Sequence, residues 1–275
     1  MALATLFGVF RMSETTTGSR RRFLTGGAAA LGATALGPLA STSAAEQAGY
    51  VLDAPDVVSM EVDGSDDRFP VRRVYCLGRN YRAHAIESGD NPDETPPFFF
   101  MKPRDAVGES RNNFPYPSMT KALRHEVELV VALKSGGLDI DRDDALDHVY
   151  AYGVGLDMTR EDLQHVAQEL SRPWAISKSF DHSAPCGPLH TVEKNGHAET
   201  GRIWLSVNGE IRQDSDLDMQ RWSVSEGIAT LSKYYKLSAG DIIMTGTPAG
   251  IGLVVKGDTI KCGIQGIGEI EVQIT

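Results

Sequence analysis

Two glutamates separated by one residue, Glu126 and Glu128, interrupt the otherwise apolar segment His125–Leu133. Because side chains alternate between the faces of a β-strand, this spacing predicts that both carboxylates lie on one face, with Cα atoms about 6.5–7 Å apart. Two such groups would repel each other if they were buried without partners. A hard divalent cation removes that penalty, and Asp157, at the end of a second apolar segment, would supply a third oxygen ligand. A Glu-x-Glu pair is also typical of a solvated strand face, so the pattern alone leaves both interpretations open.

A histidine and a glutamate lie three residues apart, His84 and Glu87, in a polar segment with several glycines and prolines. Histidine is the usual general base near neutral pH, and a neighbouring carboxylate orients its ring and raises its basicity. The two side chains can meet if the segment forms a helical turn. Otherwise they are exposed groups on a loop. We interpret most of residues 78–97 as a loop.

Two further segments carry groups that could stabilise negative charge. Lys178 lies among apolar and small residues and could stabilise an oxyanion, although a surface lysine fits the same pattern. The loop after the apolar residues DIIMT contains Gly246 and Thr247. Its backbone N–H groups and the threonine hydroxyl could bind a carboxylate, and a simple turn is the alternative.

Short apolar segments bounded by glycine and proline predict a chain built mainly of strands. Those that bear on the candidate groups are Val74–Leu77, Pro97–Lys102, His125–Leu133 and Tyr150–Asp157. A hairpin is predicted from Ile203–Val207 to Glu210–Gln213 through Asn208-Gly209. Three short glycine-bounded strands are predicted near the C-terminus.

Two helices are predicted from their capping boxes, the first beginning at Thr159 with Asp162 and the second at Ser223 with Glu226. Together with the strands, they predict an α+β, β-dominated architecture with one catalytic domain over residues 71–275. Residues 46–70 are acidic and are expected to form a lead-in segment with a short strand.

Composition excludes several classes of protein. The 275 residues are 41% hydrophobic and 23% charged, which is typical of a globular chain and excludes a disordered or coiled-coil one. A net charge of -10 disfavours nucleic acid and anionic membranes as partners. The three cysteines form no C-x-x-C motif, and we interpret the two in apolar segments, Cys76 and Cys262, as small buried thiols.

Residues 1–45 have the features of a secretory signal. Residues 20–24 read RRRFL and precede the weakly apolar run GGAAALGATALGPLA, and Ser43-Ala44-Ala45 forms a small-residue cleavage site. The arginine pair before Phe-Leu indicates the twin-arginine type. This predicts export by the twin-arginine machinery to the periplasm or the exterior, whereas an uncleaved anchor or a chance basic patch are the alternatives.

The order of the motifs is more informative than any one of them. GRNYxxHxxE, PFFFMKP, HExEL, LDMTxxDLQ, WxxxKSFDHSAP and GDIIMTGTPxG follow one another over about residues 72–274. This succession resembles the fumarylacetoacetate hydrolase family. The compact form resembles the acylpyruvases within that family, and the segments GDNPDETPPFFFMKP and KSFDHSAP look most like bacterial fumarylpyruvate hydrolases.

The resemblance implies a mixed β-roll fold, a homodimer and a bound Mg²⁺ or Mn²⁺, with Ca²⁺ also possible. The residues it implies as metal ligands are Glu126, Glu128 and Asp157. Those it implies for catalysis are His84, Glu87, Lys178 and Gln164. Those it implies for contact with a small keto-acid substrate are Arg79, Arg160, Gly246 and Thr247.

The activity implied by the resemblance is hydrolysis of a carbon–carbon bond in 2,4-diketo acids, and fumarylpyruvate would give fumarate and pyruvate. Relatives with the same site act as oxaloacetate decarboxylases or as hydroxymuconate-type isomerases and decarboxylases, and this remains an alternative. An exported keto-acid-binding protein without turnover is an alternative of another class.

One position departs from the family pattern. Many acylpyruvases carry an arginine four residues after the metal-binding aspartate, where it meets the substrate carboxylate. Here that position is Glu161, with Arg160 just before it. Either Arg160 takes over the contact through a small rotation of the helix, or the accepted acyl group differs.

Overall fold

An eight-stranded sheet forms the centre of the computed structural model, which describes residues 51–109 and 113–275. In spatial order this main sheet contains β4 (Phe98–Lys102), β3 (Arg73–Gly78), β14 (Asp241–Met244), β7 (Val127–Leu133), β8 (Val149–Leu156), β10 (Ala184–Cys186) and β5 (Val107–Glu109). The eighth strand, β11 (His190–Thr191), also pairs with β8. The pairs β3–β14 and β5–β10 are parallel, and the remaining pairs are antiparallel.

Three smaller sheets complete the strands of the described chain. An antiparallel hairpin sheet has the order β13 (Glu210–Asp216), β12 (Arg202–Val207), β16 (Thr259–Ile264) and β17 (Gly268–Gln273). A three-stranded rim sheet has the order β15 (Gly252–Val254), β6 (Leu123–His125) and β9 (Thr159–Arg160). The last is the pair β1 (Ser59–Met60) and β2 (Phe69–Pro70), within the lead-in segment.

The helices of the described residues are short and lie between strands. They are α1 (Arg82–Glu87), α2 (Glu161–Glu169), α3 (Ala175–Lys178), α4 (Val192–Asn195) and α5 (Val224–Ser232), with 3₁₀ turns at Arg104–Ala106, Arg142–His148 and Leu217–Met219. None of these helices has the length and apolar character needed to cross a membrane. The prediction of a strand-dominated α+β fold with one catalytic domain is confirmed, and residues 54–275 form one compact unit.

Apolar side chains cover both faces of β7. The odd-numbered side chains from Val127 to Leu133 lie in the larger of two apolar clusters, whereas Val130 and Ala132 lie in the smaller. The hairpin sheet packs against β7 and β8. Each buried aliphatic side chain of this size contributes about 1.5–3 kcal/mol, so the strand is held firmly in place. Glu128 shares the even-numbered face and is therefore fixed inside the molecule.

Two local predictions are confirmed in detail. Asn208 and Gly209 both have positive φ, 53° and 83°, as a tight two-residue hairpin turn between β12 and β13 requires. At the start of α5, the Ser223 hydroxyl accepts a hydrogen bond from the Glu226 N–H, and the Glu226 carboxylate accepts one from the Ser223 N–H. Local side-chain chemistry was sufficient to identify both features.

Three local predictions were wrong or incomplete. The segment His125–Leu133 is not one strand, because β6 ends at His125 and β7 begins at Val127. The predicted capping box at Thr159 does not form: this residue pairs in β9, and α2 begins at Glu161. Asp162 instead accepts hydrogen bonds from the Thr120 hydroxyl and a backbone N–H. The polar segment after β3, interpreted as a loop with at most one turn of helix, contains the six-residue helix α1.

All three cysteines are free and buried, which confirms the interpretation of Cys76 and Cys262 as buried thiols. The proposed twin-arginine motif and cleavage site, within residues 1–45, lie outside the described residues and stay a prediction.

Candidate active site

The candidate groups converge at one edge of the main sheet. The strands β3, β8 and β14 end at the edge where β7 begins, because β7 is antiparallel to both β8 and β14. A cavity of about 200 Å³ opens there. This volume suits a small metabolite, since sites for drug-sized ligands measure roughly 300–1,000 Å³. Ten of the eleven predicted site residues line this cavity, and Arg160 does not.

Three buried carboxylates lie close together in the cavity wall. Glu128 projects from β7, Asp157 follows β8 directly, and Glu126 occupies the break between β6 and β7. One oxygen from each lies within 4.8 Å of the other two, and all three residues are buried. The spacing prediction that brought the two glutamates to one face is consistent with this geometry.

Electrostatics at these carboxylates favours a bound cation. Burial, together with Asp157 and Glu126, raises the pKa of Glu128 well above its usual value. Burial also opposes ionisation of Glu126, but Lys178 and Arg124 outweigh it and hold the pKa of that carboxyl well below its usual range. The buried Asp157 Oδ1 atom lies 2.8 Å from Lys102 Nζ, and no described residue gives it a hydrogen bond of acceptable geometry. Three convergent hard oxygen donors fit a divalent ion such as Mg²⁺ or Mn²⁺.

Cations surround the carboxylates on the other sides. Lys178 Nζ donates to Glu126 Oε2 at 2.9 Å and to Asp157 Oδ2 at 2.7 Å. Lys102, wholly buried, places its Nζ 2.8 Å from Asp157 Oδ1 and donates to the backbone carbonyl of Lys178. With Arg124, three buried cations balance three buried carboxylates, so a divalent ion would leave the set positively charged. Glu161 at the edge of the cavity offsets part of this charge, and an anionic ligand would neutralise the rest.

The predicted histidine–glutamate pair forms on α1. His84 Nδ1 lies 3.1 Å from Glu87 Oε2, and His84 lines the cavity. Burial raises the pKa of Glu87, but hydrogen bonds from His84 and from the Gly250 N–H prevail and leave that pKa below its usual value. The carboxylate is therefore ionised near neutral pH and orients the imidazole, leaving Nε2 as the ring nitrogen available to a ligand.

Sequence reasoning missed Arg124, a buried residue of β6. Its guanidinium donates to Glu126 Oε1 from Nε at 3.0 Å and from Nη2 at 2.7 Å. It also donates to Glu161 Oε1 at 3.0 Å and to Gln164 Oε1 at 2.7 Å. Four of its five N–H groups are thus used, and no described residue accepts the second hydrogen of Nη1. The signal was present, since Arg124 precedes Glu126 by two residues, the period of a strand.

Arg124 also fixes the orientation of Gln164. An arginine can only donate, so the Gln164 amide must present its oxygen to the guanidinium. The NH₂ group of Gln164 is then the part left to face the cavity. Gln164 can therefore donate a hydrogen bond to an oxygen of a ligand, as predicted for a group that stabilises an oxyanion.

Of the two alternatives at position 161, the structure does not support the one in which Arg160 replaces the missing arginine. Arg160 donates to the Ile176 carbonyl at 3.3 Å, and its guanidinium stacks 4.4 Å from the ring centroid of Phe180, outside the cavity. Glu161 is the first residue of α2, directly after Arg160. Its side chain, and not that of Arg160, lines the cavity. The guanidinium in the cavity next to Glu161 comes from Arg124 on β6.

The remaining predicted contacts lie in the cavity wall. Arg79 pairs with Asp90, and its guanidinium lies 5.9 Å from the ring centroid of Phe98.

The Gly246 N–H donates to Glu128 Oε2 at 2.7 Å, so its backbone supports a candidate metal ligand. Gly246 has φ of 91°, and a Cβ there would lie 2.9 Å from the Leu77 carbonyl oxygen, so only glycine fits. Thr247 lines the cavity beside it.

Comparison with known proteins agrees with this geometry. The family model for the fumarylacetoacetate hydrolase C-terminal domain matches residues 73–275. Fumarylpyruvate hydrolase of Ralstonia sp is 41% identical over 177 residues, which span 64% of this chain and 92% of that protein. The mitochondrial oxaloacetate decarboxylase of Dictyostelium discoideum is 37% identical over 198 residues, spanning 71% of this chain and 90% of that protein.

A solved structure shares the fold. The crystal structure of fumarylpyruvate hydrolase from Pseudomonas aeruginosa, in complex with Mn²⁺ and pyruvate, has 47% sequence identity and a TM-score of 0.81. The match covers 82% of this chain and 99% of that one. A divalent ion and a keto acid are thus bound by a protein with the same fold.

Replacement of Glu128 by alanine is expected to weaken the binding of Mn²⁺ by more than the roughly 10–100-fold that loss of an outer-shell partner costs. Titration calorimetry with MnCl₂ measures this affinity. Glu210→Ala, which removes an exposed carboxylate of β13, is the matched control and is expected to bind Mn²⁺ like the wild type. Unchanged affinity in the Glu128 variant would contradict the metal site.

Proposed function

Because the chain belongs to the fumarylacetoacetate hydrolase family, we propose that it is a divalent-metal-dependent hydrolase that cleaves a carbon–carbon bond of 2,4-diketo acids. The substrate we propose is fumarylpyruvate, with fumarate and pyruvate as products. One observation carries this proposal: three buried carboxylates suited to an ion and an oriented histidine–glutamate pair line the same small cavity.

The ion would be held by Glu126, Glu128 and Asp157. When bound, it would act as a Lewis acid that orients the keto acid and stabilises enolate charge. Mn²⁺ and Mg²⁺ both suit these oxygen donors. The surrounding lysines and Arg124 add positive charge around an anionic substrate.

His84 is the proposed general base. Glu87 holds Nδ1, so Nε2 can take a proton from a water molecule, and the resulting hydroxide attacks the C4 carbonyl of the substrate. The C3–C4 bond then breaks, its electron pair passes to the pyruvate enolate, and the protonated His84 returns its proton to C3. The acyl fragment leaves as the carboxylic acid.

Two side chains can donate to the oxyanion that forms at C4. Lys178 uses two N–H groups on Glu126 and Asp157 and has a third for the cavity. Gln164 presents its NH₂ group, as its hydrogen bond with Arg124 requires. One such preorganised donor is worth about 3 kcal/mol of transition-state stabilisation.

Oxaloacetate decarboxylation is the second candidate, favoured by the relative of that name in Dictyostelium discoideum. It uses the same metal-stabilised enolate but needs no activated water. The intact His84–Glu87 pair supports hydrolysis over this reaction, because a base held in this way serves to activate water.

Replacement of His84 by glutamine is expected to lower kcat for fumarylpyruvate at least about 100-fold while Mn²⁺ affinity is unchanged, since the base is lost and the carboxylates remain. Pyruvate release from fumarylpyruvate, acetylpyruvate and oxaloacetate is measured side by side for both proteins. Retained hydrolysis in the variant would refute the base assignment. Wild-type activity on oxaloacetate alone would favour the decarboxylase.

The chain is also proposed to act as a homodimer, which the family resemblance supports. Sedimentation equilibrium of the metal-loaded protein is expected to give twice the chain mass. A monomer with full hydrolase activity would refute this assembly.

Export by the twin-arginine machinery is proposed from residues 20–45, with the mature protein in the periplasm or outside the cell. Replacement of both Arg20 and Arg21 by lysine is expected to retain the precursor in the cytoplasm. Cell fractionation and N-terminal sequencing measure the location and the cleavage site. Undiminished export of the variant would show that another route is used.

A further inference from the structure

A buried glutamine behind the cavity wall contacts one of the proposed substrate-binding residues. Gln213 lies on β13 of the hairpin sheet, is wholly buried and does not line the cavity. Its Nε2 donates to Thr247 Oγ1 at 2.8 Å and to the Pro248 carbonyl at 2.7 Å. Its Oε1 accepts from the Val127 N–H at 3.2 Å and lies 3.2 Å from His125 Nδ1.

Backbone partners fix the orientation of this amide. The Val127 N–H can only donate, so it must face the amide oxygen of Gln213. The Pro248 carbonyl can only accept, so it must face the amide NH₂. A flipped amide would oppose both of these groups and leave them buried without partners, which is strongly unfavourable. The hydrogen bond from Gln213 to Thr247 therefore has a fixed direction.

This direction determines what Thr247 can offer. Its hydroxyl oxygen already accepts a hydrogen bond from Gln213, and no described residue accepts the hydroxyl proton. Thr247 is buried in the protein and lines the cavity. Its proton is thus available to an acceptor in the cavity, such as an anionic oxygen.

The same strand also supports the loop that carries Thr247. Gly250, at the end of this loop, lies so close to β13 that a Cβ would be 2.0 Å from the Arg212 carbonyl oxygen. The N–H of Gly250 donates to Glu87. The loop is therefore held between β13 and the histidine–glutamate pair, and Gln213 contacts it at the residue that faces the cavity.

We propose that Gln213 is a positioning residue that holds the Thr247 hydroxyl as a hydrogen-bond donor to the carboxylate of a bound keto acid. The inference rests on the proposed function only in taking a keto acid as the ligand. Gln213 lies on a different sheet from the candidate metal ligands and touches neither them nor the substrate.

Replacement of Gln213 by glutamate reverses the hydrogen bond with little change of shape. An ionised carboxylate can only accept, so at pH 8 it would take the Thr247 proton away from the cavity. The affinity of the Mn²⁺-loaded protein for pyruvate, measured by calorimetry, is expected to fall about tenfold, the loss of one hydrogen bond to a charged group. Thr247→Val is expected to show the same fall, and the double variant no greater fall than Thr247→Val alone.

Gln220→Glu is the matched control. Gln220 donates to the Thr245 hydroxyl at 3.0 Å in the same manner, but neither residue lines the cavity. Its variant is expected to bind pyruvate like the wild type. Thermal melting and Mn²⁺ titration of every variant establish that the fold and the metal site are intact.

Wild-type pyruvate affinity in the Gln213→Glu variant, or additive losses in the double variant, would overturn the proposal. If Gln213→Glu does not fold, Gln213→Met is compared in the wild-type and Thr247→Val backgrounds. It is expected to weaken pyruvate binding in the first and to have no further effect in the second, and equal losses in both would overturn the proposal. Because pyruvate binding needs no turnover, failure of this inference is distinct from a failure to hydrolyse acylpyruvates.

Discussion

Mutual repulsion of three carboxylates, buried within 4.8 Å of one another, is the constraint on which the site depends. Water is largely excluded from them, so their charge must be balanced by protein groups or by a bound ion. Lys102, Lys178 and Arg124 supply the protein part, each paired with Glu126 or Asp157. Among the described residues no cation pairs with Glu128, and burial with the neighbouring carboxylates raises its pKa, which marks where an ion is still needed.

The fold meets this constraint by bringing several sheets to one edge. The antiparallel order of β8, β7 and β14 places Asp157, Glu128 and the loop after Met244 together. The break at Glu126 then allows the chain to leave the main sheet and enter the rim sheet. The hairpin sheet supplies Gln213 from behind. Donors consequently face the cavity on several sides, as an anionic ligand requires.

The Glu126–Glu128 pair and the His84–Glu87 pair could be predicted from the sequence because each depends on a short local spacing, whereas Asp157 was placed with them as the end of a second apolar segment. Arg124 could have been found by the same period of two, but its bonds to Glu161 and Gln164 join residues far apart in the chain. Gln213 gave no local signal, since it meets Thr247 only through packing of the hairpin sheet. Arg160 was considered for the site only through the family resemblance, as one of two alternatives, and the side chain that lines the cavity at the start of α2 is that of Glu161.

Anomalous diffraction from crystals grown with one equivalent of Mn²⁺ tests the central claim most directly. We expect a single strong peak within bonding distance of one oxygen from each of Glu126, Glu128 and Asp157. We also expect loss of acylpyruvate hydrolysis when the ion is chelated. A peak at another place, or full hydrolysis in the presence of a chelator, would contradict the central claim.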